Sequence, residues 1–248
     1  MHRQLAAFLI LLVVLMATVE AQAAQAGNTG GRSVWDGVYT AAQATRGKAQ
    51  YEASCGSCHG AELTGGVGQA LKGDVFMRFW YGYPLNSLFS RIKDTMPSGA
   101  PRSLSNDAYL EIVAYVLQAN ALPAGGDAFR TDTLESIRVD GREGPQPIPN
   151  YALVRVVGCL TPGPQNAWTL SNASEPVRTR SPEPSKDEEL KNSQAKALGN
   201  QQLRLMSIYP EPAPYRGNKV EVKGFLIQGP NAHINVNSLQ TLASSCGR

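Results

Sequence analysis

The sequence predicts a multidomain protein, with an all-α domain followed by a small antiparallel all-β domain. Three observations lead to this expectation. Apolar residues recur with helical spacing as far as about Gly125. A polar, proline-containing stretch follows over residues 126–149, and we interpret it as an extended linker. From Tyr151 onward the chain consists of short β-branched segments bounded by Gly, Pro and Asn, which is typical of strands.

The N-terminal segment predicts export from the cytoplasm. Arg3 is followed by an apolar run over residues 5–19 and then by small residues, as in a secretory signal peptide. The run is shorter than the roughly 20 apolar residues of a membrane span. We therefore expect a signal peptide over residues 1–26, no membrane span after its cleavage, and a periplasmic or other extracytoplasmic location. An uncleaved N-terminal anchor is the alternative.

The helical domain, residues 33–125, is predicted to contain three helices. The first is an Ala-rich helix within residues 39–55. The second spans residues 84–95, where Pro84 is tolerated in the first turn and the apolar residues share one face. The third follows Ser105, a candidate N-cap. A glycine-rich loop lies between the first and second helices.

The motif that carries chemistry is SCGSCHG, residues 54–60. Cys-x-x-Cys-His is the signature of covalent c-type haem attachment, in which two thiols add to the haem vinyl groups and the histidine lies under the iron. A closed zinc site would need two further ligands, and a redox dithiol would need a βαβ context that this helical stretch does not offer. We therefore expect one haem c, attached to Cys55 and Cys58, with His59 as an iron ligand.

Residues 47–122 resemble a monohaem class I cytochrome c. RGKAQYEASCGSCHG, the loop DTMPSGAP and the helix YLEIVAYVLQAN occur in that family's order. The resemblance implies that Met96 is the second axial ligand of the iron. Met77 is then a packing residue and Met206 belongs to a strand. The glycine-rich loop lacks the proline whose carbonyl often orients the histidine in this family, so the partner of His59 is left open.

The same resemblance implies a close helix crossing. Gly47 and Tyr51 of the first helix match positions that cross the last helix near Tyr115. A glycine costs helix propensity, and a close approach of two helices is a reason to accept that cost. The alternative is an irregular helix start.

Several side chains near the motif are candidates for contacts with the haem propionates. Trp80, Tyr81 and Tyr83 offer N–H and O–H donors, with core packing as the alternative role. Lys72 and Arg78 are candidates for steering a partner or neutralising a propionate, with a solvated surface position as the alternative.

His/Met ligation favours the reduced iron and suits one-electron transfer. SVWDGVYTAAQATRG and MPSGAP also resemble cytochrome domains found with quinoprotein dehydrogenases. This looser resemblance implies only the class of partner, a quinoprotein dehydrogenase as donor. We expect a periplasmic electron carrier rather than a catalyst, which passes electrons from the dehydrogenase to a terminal acceptor. An open-haem peroxidase or small-ligand sensor is the alternative, and an adhesion or assembly protein is a third possibility. The net charge of +3 and the lack of a basic stripe argue against a nucleic-acid partner.

The second domain, residues 150–248, is predicted to contain five strands and resembles an OB-like barrel. A charged insertion near residues 179–200 is expected to be solvated, with one exposed helix. Cys159 and Cys246 are distant in sequence, and in an exported chain they are expected to form a disulfide that stabilises the fold by roughly 4 kcal/mol. Two lone thiols are the alternative.

Overall fold

The computed structural model describes residues 31–164, 167–209 and 211–247. The signal peptide expected at residues 1–26 lies outside this range. Within the described ranges, no helix combines the length and the apolar character that crossing a membrane requires.

The N-terminal part is helical, as predicted. Its helices are α1 (Ala41–Ser54), α2 (Gly56–His59), α3 (Gly73–Trp80), α4 (Leu85–Thr95) and α5 (Asn106–Ala119). The three predicted helices are confirmed as α1, α4 and α5. Helix α3 was not predicted, because its eight residues are too few to show a helical period.

Side-chain caps explain where two of the helices begin. The Thr40 hydroxyl accepts the N–H of Gln43 at 3.2 Å, and the Gln43 side chain accepts the N–H of Thr40 at 3.3 Å. This reciprocal pair satisfies donors that the first turn of α1 would otherwise leave free. At the start of α5, Ser105 accepts the N–H of Ala108 at 3.1 Å, as its predicted role requires.

Helices α1 and α5 cross at the predicted close approach. A Cβ atom added to Gly47 would lie 1.7 Å from the backbone oxygen of Glu111 on α5. One turn further on, the rings of Tyr51 and Tyr115 pack with centroids 5.3 Å apart. Gly47 is therefore a packing requirement and not merely an irregular helix start.

The segment predicted as a linker is partly folded. Thr131–Ser136 forms a 3-10 helix, and strand β2 (Ile137–Arg138) pairs in parallel with β1 (Arg32–Ser33). Three residues of this segment are fully buried in the core of the helical domain: Leu134, Ile137 and Val139. The expectation of an extended spacer along residues 126–149 is wrong for this part, because three apolar side chains within a polar stretch were enough to anchor it.

The C-terminal part is rich in strands, as predicted. They are β3 (Leu153–Pro162), β4 (Trp168–Ala173), β5 (Val177–Arg178), β6 (Gln201–Met206), β7 (Lys219–Ile227) and β8 (His233–Ala243). Strand β3 pairs with β4 and β7, β4 with β6, β6 with β8, and β8 with β7, so that the pairings return to their starting strand. The two-residue β5 lies beside β3. The β6–β8 pair is parallel, which corrects the expectation of a wholly antiparallel sheet.

The charged insertion contains the expected helix, α6 (Asp187–Ala195). However, part of the insertion is buried rather than solvated. The hydroxyls of Ser185 and Ser193 both donate to the carboxylate of Glu221 on β7, which is itself buried. These bonds hold α6 against the sheet, because a buried carboxylate needs hydrogen-bond donors.

The expected disulfide is confirmed. Cys159 on β3 is bonded to Cys246, with the two Cα atoms 5.6 Å apart and 87 positions between them in sequence. The bond ties the strand that begins the sheet to the end of the chain.

Candidate haem-binding site

One turn of helix brings the three residues of the motif to one wall of a cavity. Helix α1 ends at Ser54, and the carbonyl of Cys55 accepts the N–H groups of Cys58 at 3.1 Å and His59 at 2.9 Å. Neither Cys55 nor Cys58 forms a disulfide, and the side chains of Cys55, Cys58 and His59 all line the cavity.

The backbone carbonyl of Gln69 orients His59. The histidine is 9% exposed, and its Nδ1 lies 2.7 Å from the Gln69 oxygen. Because a carbonyl only accepts hydrogen bonds, Nδ1 carries the proton and donates, which leaves the lone pair of Nε2 for a metal. This bond answers the question that the missing loop proline left open.

The glycine-rich loop packs tightly against this ring. A Cβ atom added to Gly68 would lie 2.7 Å from Cε1 of His59. The N–H of Gly68 donates to the carbonyl of Cys58 at 2.9 Å, which ties the loop back to the motif. The sequence predicted a glycine-rich loop here, and in the fold the glycine lets the loop backbone approach the ring closely.

Tyr51 holds the start of the same loop. Its hydroxyl donates to the carbonyl of Gly60 at 2.7 Å, directly after the motif. Burial, followed by the nearby Cys55 and Tyr115, raises the pKa of Tyr51 to about 12. The phenol therefore stays protonated, and remains a donor, throughout the neutral range.

Met96 lies on the cavity wall and directly follows α4. Its N–H donates to the carbonyl of Ile92 at 2.8 Å, and its carbonyl accepts the hydroxyl of Tyr109 from α5 at 2.9 Å. Of the methionines in the described residues, Met96 is the one that lines the cavity. Met77 packs against the helical core, and Met206 is 40% exposed on β6.

The cavity has a volume of about 450 Å³ and mostly apolar walls. Besides the motif and Met96, the apolar side chains of its wall include Leu88, Ile92, Ile112 and Val116. This size and character are typical of small-molecule and cofactor sites.

The aromatic and basic candidates divide into two groups. Trp80 lines the cavity, whereas Tyr81, Tyr83, Lys72 and Arg78 are not among the side chains of its wall. The Tyr81 hydroxyl donates to a backbone carbonyl 63 positions later in the chain, at Gly144. The hydroxyl of Tyr83 accepts a hydrogen bond from the guanidinium of Arg178.

Two arginines from the strand-rich part reach this region, and sequence reasoning missed both. Arg178 donates to the carbonyl of Tyr81 at 2.6 Å and to the hydroxyl of Tyr83 at 3.1 Å. Arg180 donates to the carbonyl of Phe79 at 2.8 Å and lines the cavity. Both belong to a stretch that looks like a solvated charge run, and no local signal marks their distant partners.

The alternative chemistries of the motif find little support. Burial, and then the neighbouring Cys58, raise the pKa of the Cys55 thiol to about 11, whereas reactive dithiols have lowered values. The further zinc ligands that the sequence offers are Cys159, Cys246 and His233, and the two cysteines are bonded to each other. Among the described residues, no group of three or more His, Cys, Asp and Glu side chains is placed to hold a metal ion. Two free thiols, a histidine with Nε2 available and a methionine around one apolar cavity fit a haem of the c type.

Comparisons with known proteins agree with the helical part of this description. Residues 42–116 match the family model described as Cytochrome C oxidase, cbb3-type, subunit III. This region is a cytochrome c domain, and such a domain implies a haem cofactor and a redox partner. No curated protein matches the chain.

One solved structure shows a limited likeness. It is the sulfane dehydrogenase SoxCD from Paracoccus pantotrophus, at 21% identity and a TM-score of 0.33. The match covers 46% of this chain and 66% of that one.

Proposed function

We propose that this protein is a periplasmic electron carrier with one covalently bound haem c. The observation that carries the proposal is the placement of Cys55, Cys58, His59 and Met96 around one apolar cavity. Cys55 and Cys58 would hold the haem through thioether bonds, and His59 and Met96 would be its two iron ligands. With both axial positions taken by protein side chains, the site favours electron transfer over binding of an external ligand.

The chain's own residues prepare the site for this task. The bound haem supplies one-electron redox chemistry. The Gln69 carbonyl holds the His59 ring and increases its basicity, as partners of metal-bound histidines do. Tyr109 holds the backbone of Met96, and the wall around these side chains is mostly apolar. A thioether ligand and apolar surroundings both favour the reduced state.

The cellular location and the partners form part of the same proposal. The apolar N-terminal segment is typical of an exported protein. The bond between Cys159 and Cys246 fits an oxidising compartment, where disulfides persist. The resemblance of the cytochrome domain to those found with quinoprotein dehydrogenases suggests such an enzyme as donor and a terminal acceptor as the destination of the electron.

We also infer that the strand-rich part is an OB-like barrel. Its support is a closed ring of pairings through five strands, in the order β3–β4–β6–β8–β7 and back to β3. One pair in this ring, β6 with β8, is parallel, and these are the third and the fifth of the five strands along the chain. A five-stranded barrel of this size matches the OB-fold. Helix α6 lies between β4 and β6, the second and the third of the five strands along the chain.

The test of the electron-carrier proposal is a visible and near-infrared spectrum of the protein matured with periplasmic haem attachment. We expect covalently bound haem in a low-spin state with a methionine-to-iron band in the oxidised form. Met96→Ala should abolish that band. Met206→Ala is the matched control, because Met206 is exposed on β6 away from the cavity and its loss should leave the spectrum unchanged.

A high-spin spectrum of the wild type, unaffected by Met96→Ala, would overturn His/Met ligation. It would indicate an iron with an open coordination position and support the peroxidase or ligand-sensor alternative. Absence of covalent haem after Cys55→Ala and Cys58→Ala, but not in the wild type, would identify the two attachment points.

A further inference from the structure

The charged side chains on the cavity wall are all positive. Two cationic side chains line the cavity, Arg91 from α4 and Arg180 from the strand-rich part, and none of its lining residues is acidic. Neither arginine has an ion-pair partner among the described residues; the ion pairs found there involve other side chains. An apolar cavity with unpaired cations at its wall suits a flat apolar ligand that carries carboxylates, and haem carries two propionates.

Arg180 is held in place before any ligand arrives. Its Nη1 donates to the Phe79 carbonyl at 2.8 Å. Its guanidinium carbon lies 4.7 Å from the ring centroid of Trp80 and 5.3 Å from that of Tyr83. A guanidinium fixed by a backbone bond and two aromatic faces loses little freedom when it binds a carboxylate.

The neighbouring arginine anchors the strand from which Arg180 extends. Arg178 lies on β5, and its guanidinium carbon sits 4.1 Å from the ring centroid of Tyr83. Its two hydrogen bonds to Tyr81 and Tyr83 fasten β5 to the turn after α3. Thr179, between the two arginines, is buried. The strand-rich part therefore delivers Arg180 to the cavity at a defined position.

We propose that Arg180 forms an ion pair with a haem propionate, so that the haem site is completed by a residue of the strand-rich part. The inference rests on the proposed function, because it needs a haem in this cavity. The guanidinium fork matches a carboxylate in shape, and one of its five N–H donors is bonded to Phe79 in the described structure. A positive charge held beside the haem favours the reduced form, which carries one positive charge fewer at the iron.

Arg180 replaces the sequence-based candidates for this role. Lys72 and Arg78 are not among the side chains of the cavity wall. Arg91 and Arg180 are both on the wall and both exposed, but in the described residues the side chain of Arg91 has no hydrogen bond that would hold it in place. Arg180 combines a place on the wall with a fixed guanidinium.

The test is the reduction potential of the full-length haem protein, measured for Arg180→Gln, Arg180→Met and Arg180→Lys. Loss of the charge should shift the oxidised-to-reduced equilibrium about tenfold toward the oxidised form, which is ~59 mV for a one-electron couple. Arg180→Lys keeps the charge but not the planar fork, so its shift should be smaller than that of the neutral variants and less than about threefold. Arg78→Gln is the matched control, because it removes an exposed positive charge on α3 that does not line the cavity.

The outcomes separate this inference from the function on which it rests. If the neutral Arg180 variants keep a low-spin His/Met spectrum but match the Arg78→Gln potential, the ion pair is absent and the electron-carrier proposal stands. If the wild type attaches no haem, both fail together. Arg180→Gln and Arg180→Met both remove the charge, so that if one of them folds poorly the other still measures the change in potential.

Discussion

At the residue scale, the candidate metal side chains depend on two hydrogen bonds to backbone carbonyls. His59 donates from Nδ1 to the carbonyl of Gln69, and Tyr109 donates to the carbonyl of Met96. The first bond sets which ring nitrogen is free for the iron. The second holds the loop that carries the thioether. Gln69 lies 10 positions after His59 and Tyr109 lies 13 positions after Met96, so each bond ties a candidate ligand to a more distant part of the chain.

Removing the Tyr109 hydroxyl should weaken the hold on Met96. Tyr109→Phe deletes a hydrogen bond worth about 1 kcal/mol. The iron–methionine bond should then be displaced more easily, and imidazole should bind the oxidised haem about fivefold more tightly, because 1.4 kcal/mol corresponds to tenfold. A spectroscopic imidazole titration measures this change.

Tyr209→Phe is the control for the loss of a tyrosine hydroxyl, because Tyr209 is 85% exposed. Equal imidazole affinities for the wild type and Tyr109→Phe would show that the hydroxyl does not restrain Met96.

At the element scale, the helical domain depends on the crossing of α1 over α5. The crossing brings the haem-motif end of α1 and the helix that carries Tyr109 into contact. Its closest point is Gly47, where the Glu111 backbone leaves no room for a side chain. An ion pair between Arg46 and Glu111 spans the same crossing at 2.5 Å, but Arg46 is exposed and such pairs contribute little. Steric fit, rather than charge, therefore sets the distance between the two helices.

Gly47→Ala should destabilise the protein. A methyl group would lie 1.7 Å from the Glu111 oxygen, so the helices must separate. Overpacking of this kind costs about 1–3 kcal/mol or more, which exceeds the roughly 0.5–1 kcal/mol gained in helix propensity. We expect a net loss of about 2 kcal/mol in the free energy of unfolding, measured by denaturant titration.

Gly126→Ala is the matched control, because an added Cβ meets no atom within 4 Å there. If the two variants unfolded at the same denaturant concentration, the crossing would be looser than the structure describes.

At the scale of the whole molecule, the helical and strand-rich parts belong to one compact unit from Arg32 onward. A network of ion pairs with buried cations helps to hold the helical part against the strand-rich part. Arg155 on β3 pairs with Glu135 of the 3-10 helix and with Glu189 of α6, and Glu189 also pairs with Lys223. Lys223 is 0% exposed and Arg155 is 7% exposed. These cations depend on their carboxylates, because an unpaired buried charge is costly.

Glu135→Gln should therefore destabilise the association of the two parts. It leaves the Arg155 guanidinium with one carboxylate instead of two. Breaking a buried pair costs about 3–5 kcal/mol, and we expect about 3 here because Glu189 remains. Thermal unfolding followed separately by the haem band and by far-ultraviolet circular dichroism measures the loss.

Glu188→Gln serves as the comparison. Glu188 pairs with Lys191 on the exposed face of α6, where the two side chains are 44% and 73% exposed. The expected loss there is below about 0.5 kcal/mol. A loss of the same size in both variants would mean that the buried network does not join the two parts.

Features that depend on neighbours in sequence were predictable. The Cys-x-x-Cys-His motif, the Ser105 cap and the five long strands each rest on residues a few positions apart, and local propensity acts at that range. The crossing glycine was predictable through the resemblance to class I cytochromes c. Helix α3 and the burial of Leu134, Ile137 and Val139 were not, because short or mainly polar segments become ordered only by packing against a core.

The sequence by itself therefore determined the type of each domain, the haem motif and the pairing of its two distant cysteines. Only the tertiary structure decided that the Gln69 carbonyl orients His59, that β6 and β8 pair in parallel, and that Arg180 reaches the cavity. Arg180 and its partner Phe79 are 101 positions apart. Such contacts follow from how whole elements pack, and no local pattern of residues encodes which distant backbone group a side chain will meet.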